Sequence, residues 1–213
     1  WGYPGDARLL DLIYGEATTA ADVANASELG REICGFTSNL AAARGIRERR
    51  SLVTDLVDRV AHERGRPISV LAIGAGRLRE AEHSRALAAG GIARWVALDQ
   101  DKEILAQIAG AFPGAAVQPV GGSVRSVIAG QPVGTFDVIY AAGLYDHLVE
   151  PLAKRLTEAA FGMLNAGGEL LFANFARGIR DAGYMETFMD WPLLLRDKGE
   201  MEEIWSDLPG QAI

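Results

Sequence analysis

Two stretches of the sequence concentrate residue types that do chemistry. In LAIGAGRLRE (71–80), Gly74 and Gly76 directly follow an apolar run. Glycines there allow a tight turn and let backbone N–H groups come close to a ligand; at a helix start such groups attract carboxylate or phosphate. In AGLYDHL (142–148), Tyr145, Asp146 and His147 form a polar cluster. An imidazole in that place can take a proton from a hydroxyl, with Asp146 adjusting it. The blander alternative has Asp146 capping the next helix and His147 packing on its surface. A third signal is the acid Asp99 in ALDQD, 25 residues beyond Gly74, where nucleotide binders place a carboxylate for ribose hydroxyls.

Other chemistries lack their residues. His62 and His83 stand in helical patterns without a metal-ligand set, so no metal site is expected. No Ser-His-Asp order or nucleophile elbow is present, and Cys34 stands alone in an apolar helical region, where burial is expected. A net charge of −7 offers no global attraction to a phosphate backbone, which disfavours nucleic acid as a partner. No run of eighteen apolar residues is found, and acids occupy the opening WGYPGDARLLDLIYGEA where a signal peptide needs basic and then apolar residues. A cytoplasmic protein with no membrane span is expected.

The elements that must position these groups follow from pattern. From residue 68 onward, apolar runs at 68–73, 93–98, 115–120, 136–141 and 169–175 alternate with segments of helical length. That alternation predicts an α/β fold, a Rossmann-like doubly wound and mostly parallel sheet, with strands buried on both faces. Helices are expected at 78–89, at 101–109 and after Pro151, where Leu152, Leu156, Ala159 and Met163 mark one face. Two further helical stretches lie near 182–191 and 198–206.

Before residue 66 the pattern is helical throughout, with a stripe of Leu40, Ala43, Ile46, Val53, Leu56, Val57 and Val60. The expected organisation is a helical N-terminal extension (1–66) followed by a ligand-binding domain (67–213). The extension is a natural homodimer element. Arg44, Arg47, Arg49 and Arg50 are expected on a solvated face, paired with Glu48, Asp55 and Asp58.

The glycine loop and Asp99 suit either a nicotinamide dinucleotide or S-adenosylmethionine. The dinucleotide fingerprint wants a third glycine at position 79, which is Arg79 here. Taken in order, VLAIGAGRLRE, ALDQD, FDVIYAAG and LNAGGELLF resemble the class I S-adenosyl-L-methionine-dependent methyltransferases over residues 68–175. The resemblance implies S-adenosyl-L-methionine as cofactor, with Gly74 and Gly76 beside its methionine part, Asp99 on its ribose and Gln100 nearby. It further implies Ser123 and Val124, in GGSVRS, on the adenine side, although Ser123 reads equally as a helix N-cap. The sequence departs from the family where Leu78 replaces the last glycine of GxGxG. It also departs after the fifth strand, where the family's sixth and seventh strands find too few residues.

A narrower set, YAAGLYDHL, NFARG and YMETFMDWPLLLR, is similar to a bacterial subgroup associated with the methyl ester of 3-hydroxypalmitic acid, the extracellular factor. This implies a small acyl or hydroxy-acid acceptor. The expected reaction is O-methylation of a carboxylate or hydroxyl on a partly apolar small molecule. Asn174 would orient the acceptor, or else satisfy loop backbone; Tyr184 and Trp191, with Met185, Phe188 and Met189, would form an apolar wall, or else core. The rivals are an NAD-dependent oxidoreductase, a noncatalytic S-adenosylmethionine-binding scaffold and an RNA methyltransferase.

Overall fold

The computed structural model describes residues 4–114, 116–131 and 134–209. In chain order its elements are α1 (Ala7–Tyr14), α2 (Ala17–Ala24), α3 (Glu28–Thr37), α4 (Ala41–Arg64), β1 (Ile68–Ile73), α5 (Arg85–Ala88), β2 (Ile92–Asp99), α6 (Lys102–Ala111) and β3 (Val117–Gly121). They continue with α7 (Val124–Ile128), β4 (Phe136–Ala141), α8 (Glu150–Gly162), β5 (Leu164–Phe172), α9 (Ala182–Phe188) and α10 (Lys198–Glu203). The strands form one parallel sheet in the order β3-β2-β1-β4-β5.

Strand alternation divides the core between two sides of this sheet. Val70, Ala72, Trp95, Ala97, Val138 and Tyr140 pack against Val53, Val57 and Val60 of α4 and Ile104 and Ile108 of α6. Leu71, Ile73, Val96, Leu98, Ile139 and Ala141 face Val127 of α7 and Ala153, Leu156 and Ala160 of α8. The result is a Rossmann-like α/β fold with a helical N-terminal region, because strands with apolar residues on both faces are buried with helices on both sides. Buried Asp137 joins three strands at one end: it accepts the Ser69 N–H (3.0 Å), Asn165 Nδ2 (3.1 Å) and an ion pair from Arg66 (2.7 Å).

Several expectations change. No helix spans 78–89: a 3-10 turn at Ala81–His83 and the short α5 stand there, and α5 starts only at Arg85. Gly74, Gly76 and Leu78 all take left-handed backbone (φ 68°, 53° and 54°), and α-helix cannot propagate through such residues. Leu78 thus adopts the conformation of the glycine it replaces, at a cost of about 1 kcal/mol or more, and its fully buried side chain belongs to the core.

The fifth strand starts at Leu164 and ends at Phe172, so Asn174 lies beyond it and the glycine pair lies within it. Between Phe136↔Leu164 and Val138↔Glu169 the register shifts, and Gly167 (φ 67°) takes up the distortion. A Cβ on Gly168 would meet the Asn165 carbonyl oxygen at 2.9 Å, so no larger residue fits. The third strand covers Val117–Gly121 rather than 115–120, and Ala115 lies outside the described residues. In α8 the buried face is Ala153, Leu156, Thr157 and Ala160, with Leu152 and Met163 at its margin. Cys34 is partly exposed rather than buried.

The arginines of α4 are not paired with Glu48, Asp55 and Asp58. Arg44 and Arg47 donate to the Asn39 and Ser38 carbonyls, and Arg50 pairs with Glu16 (2.9 Å) while lying over the Tyr14 ring. Asp58 instead accepts Ser84 Oγ (2.7 Å) and the Arg85 and Ala86 N–H groups, capping α5 from α4. Guanidinium groups reach unsatisfied carbonyls and carboxylates on neighbouring segments, which a helical wheel does not show. Among the described residues no helix is long and apolar enough to cross a membrane.

Candidate active site

Strand order reverses between β1 and β4, the point at which open α/β sheets leave a crevice beyond their strand ends. A cavity of about 390 Å³ occupies it. A larger hollow of about 840 Å³ lies elsewhere, along the open edge of β5 between Leu56, Phe161, Trp205 and Leu208. Of its three acids, Asp58 and Glu169 already accept hydrogen bonds from Ser84 and Arg59 and Asp55 is exposed, so the crevice, with its convergent polar groups, is the candidate site.

The glycine loop forms the floor. Gly74 and Ala75 both donate their N–H groups to the Leu98 carbonyl (2.9 and 3.1 Å), pinning the loop to β2. The Gly76 N–H donates to Asp99 Oδ2 (3.0 Å), and the Asp101 N–H to Asp99 Oδ1 (3.0 Å). Each Asp99 oxygen keeps a lone pair for a further donor, in a carboxylate already oriented by two backbone groups. Beside it, a Cβ on Gly122 would lie 2.9 Å from both Leu98 Cδ1 and Ser126 Oγ. Ser123 caps α7 in a reciprocal box with Ser126, as one of its two readings expected, and it also lines the cavity.

All six residues assigned to the cofactor, Gly74, Gly76, Asp99, Gln100, Ser123 and Val124, line this one cavity. The far wall comes from Ala7, Leu10, Asp11 and Tyr14 of α1, with Arg49 of α4 and Gly143, Leu144 and His147 after β4. Arg49 lies across Gly143, where a Cβ would come within 3.3 Å of its Nη2. Among the described residues, Arg49 makes no hydrogen bond or ion pair. Arg77 and Arg79, by contrast, are both paired with Asp11.

Beneath Arg49, Glu80 lines the cavity and accepts a 2.5 Å hydrogen bond from Tyr140 Oη, which itself accepts Trp95 Nε1 (3.2 Å). Burial raises the Glu80 carboxyl above the ordinary range, against the Tyr140 bond and the nearby Arg49 and Arg50 charges. Burial, together with Glu80, also holds the Tyr140 phenol well above its usual value.

The Tyr145, Asp146 and His147 cluster, expected to be catalytic, is divided by the structure. His147 is exposed and lines the cavity. Tyr145 is buried under the sheet edge: its ring stacks on Phe172, its hydroxyl bonds Thr157 (2.7 Å), and burial pushes it up to about 12. Asp146 is also buried, and its Oδ1 accepts the Phe175 N–H (2.6 Å) rather than a bond from His147. Burial raises its carboxyl, opposed by that N–H and by the Arg49 charge. A 3-10 turn at Tyr145–His147, not a helix start, presents these three side chains in different directions.

The acceptor-side residues form a packed layer. Asn174 donates to the Phe175 and Leu194 carbonyls (2.9 and 2.7 Å) and accepts Arg196 Nη1 (2.5 Å). Tyr184 stacks on Phe188, and Trp191 packs edge-on to Phe175. With Leu9, Leu10, Ile13, Tyr14, Ala42 and Met185, Tyr184 and Trp191 make a small core above the strand ends. Trp191 Nε1 is buried without a hydrogen-bond partner among the described residues. Sequence reasoning missed Arg49 and Glu80 as cavity residues. Arg49 had no signal separating it from its neighbours, whereas Glu80 stood within the glycine-loop motif.

The residues fit a nucleoside joined to an amino acid: an oriented carboxylate for ribose hydroxyls, a glycine floor for close approach, and an uncommitted guanidinium for a carboxylate.

No protein-family model matches this chain, and no curated protein sequence does. Solved structures are similar. A possible exported protein from Bordetella parapertussis superposes with a TM-score of 0.77 at 15% identity, covering 96% of this chain and 73% of that one. A candidate methyltransferase from Thermobifida fusca YX gives 0.69 at 18% identity, over 96% of this chain and 80% of that one. Magnesium protoporphyrin IX methyltransferase from Synechocystis PCC 6803, solved with bound S-adenosylhomocysteine, gives 0.57 at 12% identity, over 78% and 76%. At these identities the likeness is one of fold alone.

Proposed function

We propose that this chain is an S-adenosylmethionine-dependent methyltransferase acting on an oxygen, carboxylate or hydroxyl, of a small and partly apolar acceptor. The observation that carries the reading is a single cavity, at the switch point of the sheet, that collects Gly74, Gly76, Asp99, Gln100, Ser123 and Val124 with Arg49 and His147. The similar Synechocystis methyltransferase, solved with S-adenosylhomocysteine, supports it. Residues 67–213 would carry the cofactor site, with the helices of 1–66 as its cover.

When bound, the cofactor would supply an electrophilic methyl group: the acceptor oxygen would form a bond to the methyl carbon as the carbon–sulfur bond breaks, with S-adenosylhomocysteine as the leaving group. Asp99 accepts the ribose hydroxyls, and the loop held by Leu98 lets backbone approach closely. Arg49 takes the amino-acid carboxylate, because the other two guanidinium groups of the wall, Arg77 and Arg79, are committed to Asp11. Alignment of donor and acceptor by these contacts is the main source of acceleration in such a displacement.

A carboxylate acceptor arrives ionised and needs only orientation and exclusion of water. A hydroxyl acceptor loses its proton, and His147 is the imidazole that lines the cavity to receive it. Asp146 supports this only indirectly, by fixing the Phe175 backbone.

The test is calorimetry with S-adenosylhomocysteine followed by labelled-methyl transfer to panels of acids, phenols, amines and RNA. Saturable binding and transfer to an acid or alcohol are expected. Binding of NAD in place of S-adenosylhomocysteine, or transfer confined to RNA, refutes the reading; binding with no transfer to any class favours a scaffold.

A further inference from the structure

We propose that Asp11 is a positioning residue of the cofactor cavity, latching α1 onto the glycine loop and so setting how fast the cofactor leaves. The proposal rests on the cofactor reading above. Its starting point is the pair of arginines inside the loop motif, Arg77 and Arg79, which have no part in the function derived so far.

Both reach one carboxylate on another element, while Arg77 Nε also donates to Gln107 Oε1 (2.7 Å) and Arg79 Nη1 to Glu82 Oε1 (2.5 Å). Asp11 accepts Arg79 Nε at 2.9 Å and Arg79 Nη2 at 2.8 Å, a two-pronged contact, and it accepts Arg77 Nη1 as well. Thr18 Oγ1 adds a fourth bond at 2.9 Å. Asp11 is only 1% exposed, whereas the Arg77 and Arg79 side chains are 22% and 15% exposed. Burial by itself would raise the Asp11 carboxyl, but the bonds from Arg79, Thr18 and Arg77 bring it below its ordinary value, so it stays charged through neutral pH.

The same helix walls the cavity. Ala7, Leu10, Asp11 and Tyr14 face Gly74, Gly76 and Asp99 across it. At its ends α1 is bounded by left-handed glycines, Gly5 (φ 77°) and Gly15 (φ 75°), the second being its C-cap. Away from the cavity it is held by apolar contacts of Leu9 and Ile13 within the Met185 and Trp191 layer, which Leu10 also joins. A short helix between two glycines, closing one side of a cavity and tied to the opposite side by one buried carboxylate, is a cover whose opening requires that carboxylate to release both arginines. The tie is made to the loop that carries Gly76, itself bonded to Asp99, so it acts on the cofactor floor as well as on the cover. Breaking one partner of a buried, hydrogen-bonded charge pair loosens the contact that the pair spans, here the one between α1 and the loop, and a loosened cover lets the cofactor out sooner.

The experiment compares wild type with Asp11→Asn, Arg79→Gln and the milder Arg77→Gln, which leaves the two-pronged Arg79 contact intact. Stopped-flow displacement gives the S-adenosylhomocysteine dissociation rate, and hydrogen exchange of residues 7–14 is followed without ligand. Asp11→Asn and Arg79→Gln are expected to speed dissociation by about tenfold or more and to accelerate exchange in α1, Arg77→Gln less so. The double variant Asp11→Asn/Arg79→Gln should dissociate the ligand less fast than the product of the two single effects, because both break the Asp11–Arg79 contact. Unchanged dissociation overturns the proposal, whether or not α1 exchanges faster; faster exchange alone makes Asp11 a structural tie. If Asp11→Asn does not fold, Arg79→Gln and Arg77→Gln decide the same question, since those side chains reach solvent. If wild type itself binds no S-adenosylhomocysteine, the cofactor reading falls and takes this proposal's cofactor role with it, while accelerated exchange would still show that the tie exists.

Discussion

Replacing Arg49 by Met tests the polarity of the bound cofactor. The guanidinium lines the cavity over Gly143 and, among the described residues, bonds to none. Its loss should therefore barely affect folding, with a stability change within about 0.5 kcal/mol, as for substitutions that break no internal contact. Binding is another matter. A hydrogen bond to a charged group contributes about 1.5–3 kcal/mol, and because Arg49 is only partly buried we take the lower half of that range, about 10-fold to 40-fold in Kd. The assay is calorimetry with two ligands: S-adenosylhomocysteine, and 5′-methylthioadenosine, which keeps the nucleoside and thioether but lacks the amino acid. Arg49→Met should weaken the first by that factor and leave the second almost unchanged. Equal loss for both ligands, or none for either, refutes the assignment of Arg49 to the carboxylate. A fall in thermal stability would show instead that Arg49 chiefly offsets the buried Glu80, whose carboxyl its charge helps to keep from rising further.

Asp99→Ala should weaken S-adenosylhomocysteine and 5′-methylthioadenosine alike by about 1–3 kcal/mol, the cost of hydrogen bonds left unmade at a buried site, read in the same titrations. If the acceptor is a hydroxyl, His147→Ala should lower turnover about 100-fold with cofactor affinity unchanged and should abolish the acidic limb of the rate profile; near-normal turnover on the true acceptor would support carboxyl methylation. Asp137→Asn should cost about 2 kcal/mol in denaturant unfolding, since one buried carboxylate gathers bonds from Arg66, Ser69 and Asn165. Although burial opposes it, those bonds lower the Asp137 carboxyl. Its contribution is thus present above the unfolded pKa, about 3.9, and is lost as pH falls through the lower folded value. The wild type should accordingly lose more stability on acidification than Asp137→Asn does, and parallel acid profiles would contradict this.

The sequence by itself determined the sheet and the floor of the crevice. Strands with apolar residues on both faces lie between two helical layers, and the loop after β1 and the acid ending β2 are neighbours once those two strands pair in parallel. Gly74, Gly76, Asp99, Gln100, Ser123 and Val124 were legible for that reason: each stands at a strand end or just past it, and β1, β2 and β3 run side by side in register. The glycine-pair strand was legible in kind but not in its start, because the register shift beside Gly167 depends on how β5 meets β4.

Tertiary structure decided everything that reaches the cavity from outside the sheet. Arg49 and Asp11 come from helices whose own pattern specifies only which face is apolar, and the polar face carries no mark of what lies opposite it. Arg79, which in sequence argued only against a dinucleotide, acquires its role from a carboxylate 68 residues away. Likewise Tyr145, Asp146 and His147 are consecutive, yet the turn sends Tyr145 to Thr157, Asp146 to Phe175 and His147 to the cavity. Adjacency along the chain constrains backbone positions, whereas the direction of each side chain follows from which neighbour can bury its apolar part or satisfy its hydrogen bonds, and those neighbours are brought in only by the folded chain.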